Sequence, residues 1–254
     1  MTLKLPSILA LLWVPSMLFA QPPDPAELVK DAIVYWRGKT SYSEVQMTIH
    51  RPDWQRTLSM LGWTRGENDS LVRFAAPAKD AGNATLKLGS SMWIFTPKLN
   101  KVIKLPFSMM AQSWMGSDFS YNDLAKSDQL LHDYHHQLSG QTLKDGHTIY
   151  TVTSIPNENA PVVWGKEVVK IRDDHILIEE TFYDQEMQPV KQLSVTKIAP
   201  LGGKLYPVVM RMTLLDKAEH WTELHYIKAK FDLKIPAYLF TLSNLRNPRP
   251  WSAK

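Results

Sequence analysis

Residues 206–215, YPVVMRMTLL, decide the fold. Val208, Met210, Met212 and Leu214 alternate with Val209, Arg211 and Thr213, so an extended chain here has one apolar face and one mixed face. The same period of two appears in Val45, Met47 and Ile49 set against Glu44, Gln46, Thr48 and His50. Working outward, strands are expected at 42–51, 54–64, 70–75, 92–96, 101–105, 147–155, 165–172, 176–183, 190–198, 206–215, 221–228 and 230–235. Turn formers separate them, among them residues 66–69, 97–100, 172–174, 184–186 and the pair Gly202-Gly203. Strands joined by tight turns pair antiparallel, because parallel neighbours need long crossovers. The pattern therefore predicts a mainly β (α+β) protein built on a single, large, curved antiparallel sheet. A sheet with one apolar face must close on itself or be covered by helices.

Covering elements are few. Asp24 is placed to cap a helix, Pro25 suits its first position, and Glu27 completes a capping-box-like spacing. Leu28, Val29, Ala32, Ile33 and Trp36 then form one apolar stripe that Gly38 ends. A segment around 106–130 and a short one over Pro236 to Leu245 are the other candidates. No internal repeat, low-complexity tract or linker divides the chain.

The chain opens with one lysine, Lys4, then an apolar run from Leu5 to Phe19 that closes on Ala20 before a polar, proline-rich stretch. Interrupted by Pro6 and Pro15, the run reads as a secretory signal peptide over residues 1–20, with residues 21–254 as one mature domain. Periplasmic localisation is the expectation. The chain has no cysteine, which excludes disulfides, Cys-ligated zinc, Fe-S clusters and acylation on a cysteine behind the leader. Lys and Arg number 29 against 25 acidic residues; losing Lys4 with the leader lowers the net charge from +4 to +3. That mild excess favours approach to anionic lipid. No basic run marks a nucleic-acid partner.

Residues 113–125, SWMGSDFSYNDLA, have the residue types of a catalytic loop. They lack the second glycine of a G-x-S-x-G elbow, and no phosphate-cradling glycine motif occurs in the chain. Asp173-Asp174 fall in a turn and Glu179-Glu180 on alternating faces of a strand, so neither pair converges on one substrate atom. The best metal candidate is His132, His135 and His136, whose spacing would share a face on a helix. In a polar loop or helix end they read as solvated instead, and no metal or cofactor is expected. Within 113–125 the reading is structural: Gly116 allows an unusual backbone, Ser117 or Asp118 caps the next turn, and Phe119, Tyr121 and Leu124 anchor it.

What stands out is apolar and adaptable. Phe107, Met109, Met110, Trp114 and Met115 crowd into one short segment, and methionine suits a surface that repacks around ligands of variable shape. The same composition also fits plain core. As a ligand site the segment forms a movable cover, lining a cavity with Trp93, Met210 and Met212.

The stretches Met92-Trp93-Ile94-Phe95-Thr96-Pro97 and Met115 to Leu124 (MGSDFSYNDL), with a lysine-rich hairpin between them, resemble the outer membrane lipoprotein-sorting protein family, secreted relatives of LolA. Asn122 stands where the family pattern has an acidic residue. The resemblance implies a LolA-like fold, an unclosed antiparallel β-barrel whose concave apolar face is covered by helices. It also implies a periplasmic carrier of lipoprotein acyl chains or other lipids, with transient membrane contact, working between an inner-membrane exporter and the outer membrane. No enzymatic activity goes with that reading. The alternatives are a lipid-sensing or interaction module that reports to a membrane protein through the same cavity, and an enzyme grafted on the fold.

Overall fold

The computed structural model describes residues 22–252, the side chains of residues 126–128 excepted. The expected signal peptide, residues 1–20, lies outside the described residues. Helix α1 (Pro25–Arg37) leads into six strands: β1 (Thr40–Arg51), β2 (Trp54–Arg65), β3 (Asp69–Ala76), β4 (Ala84–Leu88), β5 (Ser91–Thr96) and β6 (Lys101–Lys104). Helix α2 (Tyr121–His132) precedes seven more: β7 (Tyr134–Lys144), β8 (His147–Pro156), β9 (Lys166–Arg172), β10 (Leu177–Tyr183), β11 (Pro189–Leu201), β12 (Lys204–Leu214) and β13 (Lys217–Phe231). A 3-10 turn (Ala237–Phe240) and α3 (Leu242–Arg246) follow.

Among the described residues the strands form one thirteen-stranded sheet in the order β6-β5-β4-β3-β2-β1-β13-β12-β11-β10-β9-β8-β7. Every pair is antiparallel and the sheet stays open, with β6 and β7 as its two edges. The register of β1 on β13 shifts between Glu44 and Val45, and that of β11 on β12 around Lys197; bulges of this kind bend a sheet. The Gly202-Gly203 turn has φ of 61° and 86°, the positive pair that a two-residue hairpin needs.

The two edges are consecutive in the chain although they lie at opposite ends of the sheet, so residues 105–133 travel from one to the other. Their path lies over the concave face, where Trp114 and Phe119 pack with Val45, Met47, Ile49, Phe74, Met210 and Met212. Met115 and Gly116 take φ of 56° and 78°, closing a tight turn with Ser117 N–H donating to Trp114 O at 3.0 Å. The turn is fixed to the sheet by Asp118, which accepts both guanidinium nitrogens of Arg51 at 3.0 Å and the Thr222 hydroxyl at 2.6 Å. Its own N–H donates to Thr222 Oγ1 at 3.0 Å. Arg51 ends β1 and Thr222 lies on β13, so one carboxylate staples the crossing to the two central strands.

Helix α1 is capped by Asp24, whose carboxylate accepts from Ala26 and Glu27 N–H, and it ends at Gly38 with φ 63°. Leu28, Val29, Ala32 and Ile33 bury against Leu130, Tyr134, Val152, Val169 and Ile171. Three bonds tie its last turn to β12: Tyr35 Oη donates to Leu205 O at 2.7 Å, Tyr206 Oη to Trp36 O at 3.3 Å, and Lys204 Nζ to Tyr35 O.

The structure corrects several expectations. Residues 217–231 form one continuous strand rather than two. Strand β4 was not expected: Ala84 to Lys87 are all buried, since Thr85 meets Trp114 on the inner side while Leu86 packs under Leu239, Phe240 and Leu245 on the other. A strand buried on both faces has no alternation to read. His132 ends α2, in keeping with the expected loop or helix end, but His135 and His136 lie on strand β7, whose mostly exposed polar residues hide an edge strand. The cap of α2 is Ser120, not Ser117 or Asp118; its side chain accepts from Asp123 N–H while Asp123 accepts from Ser120 N–H.

Removing the Asp118 carboxylate leaves Arg51 half-enclosed and Thr222 without its acceptor. Asp118→Ala is expected to lower unfolding stability by about 3 kcal/mol in urea titration. Glu223→Ala, which breaks the exposed Arg211 pair on the outer side, should cost under about 1 kcal/mol. Equal losses would contradict the stapling role.

Candidate functional site

Between the sheet and its covers lies a cavity of about 250 Å³. Its floor comes from alternate residues of the central strands: Val45, Met60, Val72, Leu193, Met210, Met212, Leu224 and Tyr226. Its roof comes from Ile33 and Trp36 of α1, Trp114 and Phe119 of the crossing, and Leu124 and Leu130 of α2. The lining is predominantly apolar because strands with period two send one set of side chains inward.

The polar groups at the wall are either engaged or neutral. Asp123 is held at 2.5 Å by Lys191 Nζ, a buried pair in which the ammonium also sits 4.9 Å above the rings of Trp164 and Phe182. Burial pushes the phenols of Tyr206 and Tyr226 far above the ordinary tyrosine value, with neighbouring charges secondary. Tyr42 is pushed up to about 12, by burial first and then by its hydrogen bond to Glu44. These phenols stay protonated and offer hydrogen-bonding edges rather than charge.

The loop with catalytic residue types is occupied in folding. Ser117 is buried and its hydroxyl donates to Trp114 O at 2.7 Å; Ser113 Oγ donates to Ser117 O at 2.5 Å; Ser120 caps α2. None of these hydroxyls has a histidine partner among the described residues. The loop buries apolar side chains and commits the hydroxyls of Ser113, Ser117 and Ser120 to backbone groups.

Of the residues picked out from sequence, Trp114, Met210 and Met212 line the cavity. Met115 packs beside Trp114 against the same core. Met109 and Met110 pack with Met92, Leu105 and Ala125 at the β6 edge, outside the cavity wall. Phe107 is 61% exposed. Trp93 pairs with Leu86 and lies on the other side of the sheet, under the C-terminal segment. Sequence reasoning missed Val72, Leu193, Tyr206 and Tyr226, although the alternation that picked Met210 and Met212 runs through their strands as well.

The histidines do not converge. His132 ends α2 beside Glu67 at 3.3 Å, His135 is exposed on β7, and His136 turns to the opposite side to meet Ser154 Oγ at 2.8 Å. A cluster not foreseen is His147 with Asp173 and Asp174. Arg172 fills the place of a cation there: it takes Asp174 through two nitrogens at 3.0 and 2.7 Å and lies 2.8 Å from His147 Nε2.

An open antiparallel sheet wrapped round an apolar cavity and roofed by helices is the LolA-like fold. A protein domain described as outer membrane lipoprotein-sorting from Vibrio parahaemolyticus aligns with TM-score 0.77 and 19% identity, over 87% of this chain and 98% of its own. A DUF1329 family protein from Desulfovibrio piger gives 0.77 and 23%, over 88% and 100%. A LolA superfamily protein from Nitrosomonas europaea gives 0.74 and 19%, over 87% and 99%. No curated protein matches the sequence. The chain belongs to the family whose model, described as an uncharacterized protein, matches residues 66–247.

Burial, the largest influence on His136, lowers its pKa below the usual histidine value. The unfolded chain therefore binds this proton first, so the stabilisation is complete above about pH 6.5 and is lost as pH falls from there. Between pH 7.5 and 5.5 the urea midpoint of His136→Gln should drop less than that of the wild type; equal drops would contradict the assignment.

Proposed function

We propose that the chain is a periplasmic carrier that binds the acyl chains of lipoproteins or other lipids and passes them between an inner-membrane exporter and the outer membrane. The observation that carries this reading is the apolar cavity enclosed between the concave sheet and the 105–133 crossing. Each methylene buried from water contributes about 0.8 kcal/mol, so an acyl chain needs no charged anchor to bind. The residues against which it lies are Trp114, Met210 and Met212, joined by Val72, Leu193 and Leu124.

Export follows from the leader at residues 1–20, cleaved after Ala20. Among the described residues no helix is long and apolar enough to cross a membrane. Binding proceeds without turnover, which fits the serines of the 113–120 loop being committed to backbone bonds. The fold, shared with a domain described as lipoprotein-sorting, supports the same reading.

Release requires that the cover move, because an apolar pocket holds its ligand by exclusion of water alone. The crossing is pinned at Asp118 and Asp123. Between the edge and the first pin, residues 107–115 are the part that shifts when the cavity fills, with Met109 and Met110 repacking over Ala125.

Filling the space from the partly buried floor tests the reading without placing charge in the core. Val72→Trp and Leu193→Trp should each weaken binding of a fluorescent fatty-acid probe at least tenfold while the unfolding free energy from urea titration stays within about 1 kcal/mol of wild type. Undiminished probe affinity in both folded variants would remove the cavity from the function.

A further inference from the structure

One border of the sheet has an unusual charge pattern. Between Asp80 and Asp118 the sequence carries Lys87, Lys98, Lys101 and Lys104 and neither Asp nor Glu. Lys98, Lys101 and Lys104 lie on the β5–β6 turn and the β6 edge strand, and all three are exposed. Interleaved with them along the same border are Leu99, Ile103 and Phe107, which are 62%, 41% and 61% exposed. Arg246 of α3, also exposed, donates to Asn100 Oδ1 at 3.0 Å and so brings a further cation to the tip of the turn. The other border, β7, contains a single lysine, Lys144, and is flanked by Asp133 and Asp145.

Lysines on an edge strand often serve only to block edge-to-edge pairing. That role leaves the apolar side chains unexplained, since exposed Leu99, Ile103 and Phe107 on an open edge would favour the aggregation that lysines prevent. Cations and apolar groups interleaved on one border match a different surface, in which headgroup phosphates meet the ammonium groups while apolar side chains enter the acyl boundary.

We propose that the edge from Lys98 to Phe107 docks the protein on an anionic lipid bilayer. This deepens the carrier reading by naming the surface that meets the membrane. It uses side chains outside the cavity, so docking and acyl binding can fail separately.

The test is flotation of the mature chain with vesicles of phosphatidylcholine alone and of phosphatidylcholine mixed with phosphatidylglycerol. Wild type should float with the mixed vesicles only, and less so at high salt. Replacing Lys98, Lys101 and Lys104 together by Gln should lower partitioning roughly 100-fold, at about 1 kcal/mol per lysine. Replacing Leu99, Ile103 and Phe107 together by Ser should lower it at least tenfold on the same vesicles. Both variants replace exposed side chains, and an unchanged circular dichroism spectrum and urea midpoint confirm that they are folded. Lys144→Gln, on the other border, should float as wild type does. Absence of wild-type flotation with mixed vesicles would overturn the proposal, as would loss with the lysine variant alone, which marks counterion adsorption without docking. Wild-type flotation without any probe binding would leave the docking edge standing and overturn the carrier.

Discussion

The structure depends on one topological constraint: the two free edges of an open sheet are neighbours in the chain. The first six strands and the last seven spread in opposite directions from the central β1–β13 pair. The chain must then return from β6 to β7 across the concave side. That return supplies most of the cover, and it cannot lie anywhere else without leaving Val45, Met47, Ile49 and Met212 in water. Asp118 settles where it lies, because a buried carboxylate needs its Arg51 and Thr222 partners and both stand on the central pair. Lys191 and Asp123 repeat the device for the start of α2.

The cavity is a consequence of that arrangement rather than an addition to it. A helix and an irregular segment cannot follow the curvature of a bent sheet closely along its whole length, and the gap falls between α1, α2 and the strands that carry Met60, Val72, Leu193 and Met210. Its tyrosines are neutral and its Asp123 carboxylate is held by Lys191, so apolar side chains dominate the lining. Such a pocket suits ligands that share an acyl chain and differ in what is attached to it.

The sequence made legible whatever one face of water and one face of core imprint on it. Strands such as β1, β2 and β12 alternate over much of their length and were placed nearly to the residue, as was α1 with its Asp24 cap and Gly38 stop. Strand β4 was illegible because both its faces are covered, and β7 because an edge strand has little core to mark it. The C-terminal segment packs Leu239, Phe240 and Leu245 outside the sheet, which placed Trp93 on the side away from the cavity. Trp114, Met210 and Met212 were readable as lining; Tyr206 and Tyr226 follow the same alternation, but a tyrosine in a strand does not by itself show whether its phenol is sealed from water. The structural reading of residues 113–125 rested on what they lacked, whereas the staple through Asp118 appears only when β1 and β13 are brought together.

The central claim is that an acyl chain occupies the space beneath the crossing. Organic extraction of the protein purified from its native cells, followed by mass spectrometry, tests it most directly. The account predicts acyl lipid at close to one chain-bearing molecule per protein, depleted in material carrying a filled cavity. Extracts that contain no lipid above the level of an unrelated protein purified from the same cells would contradict it.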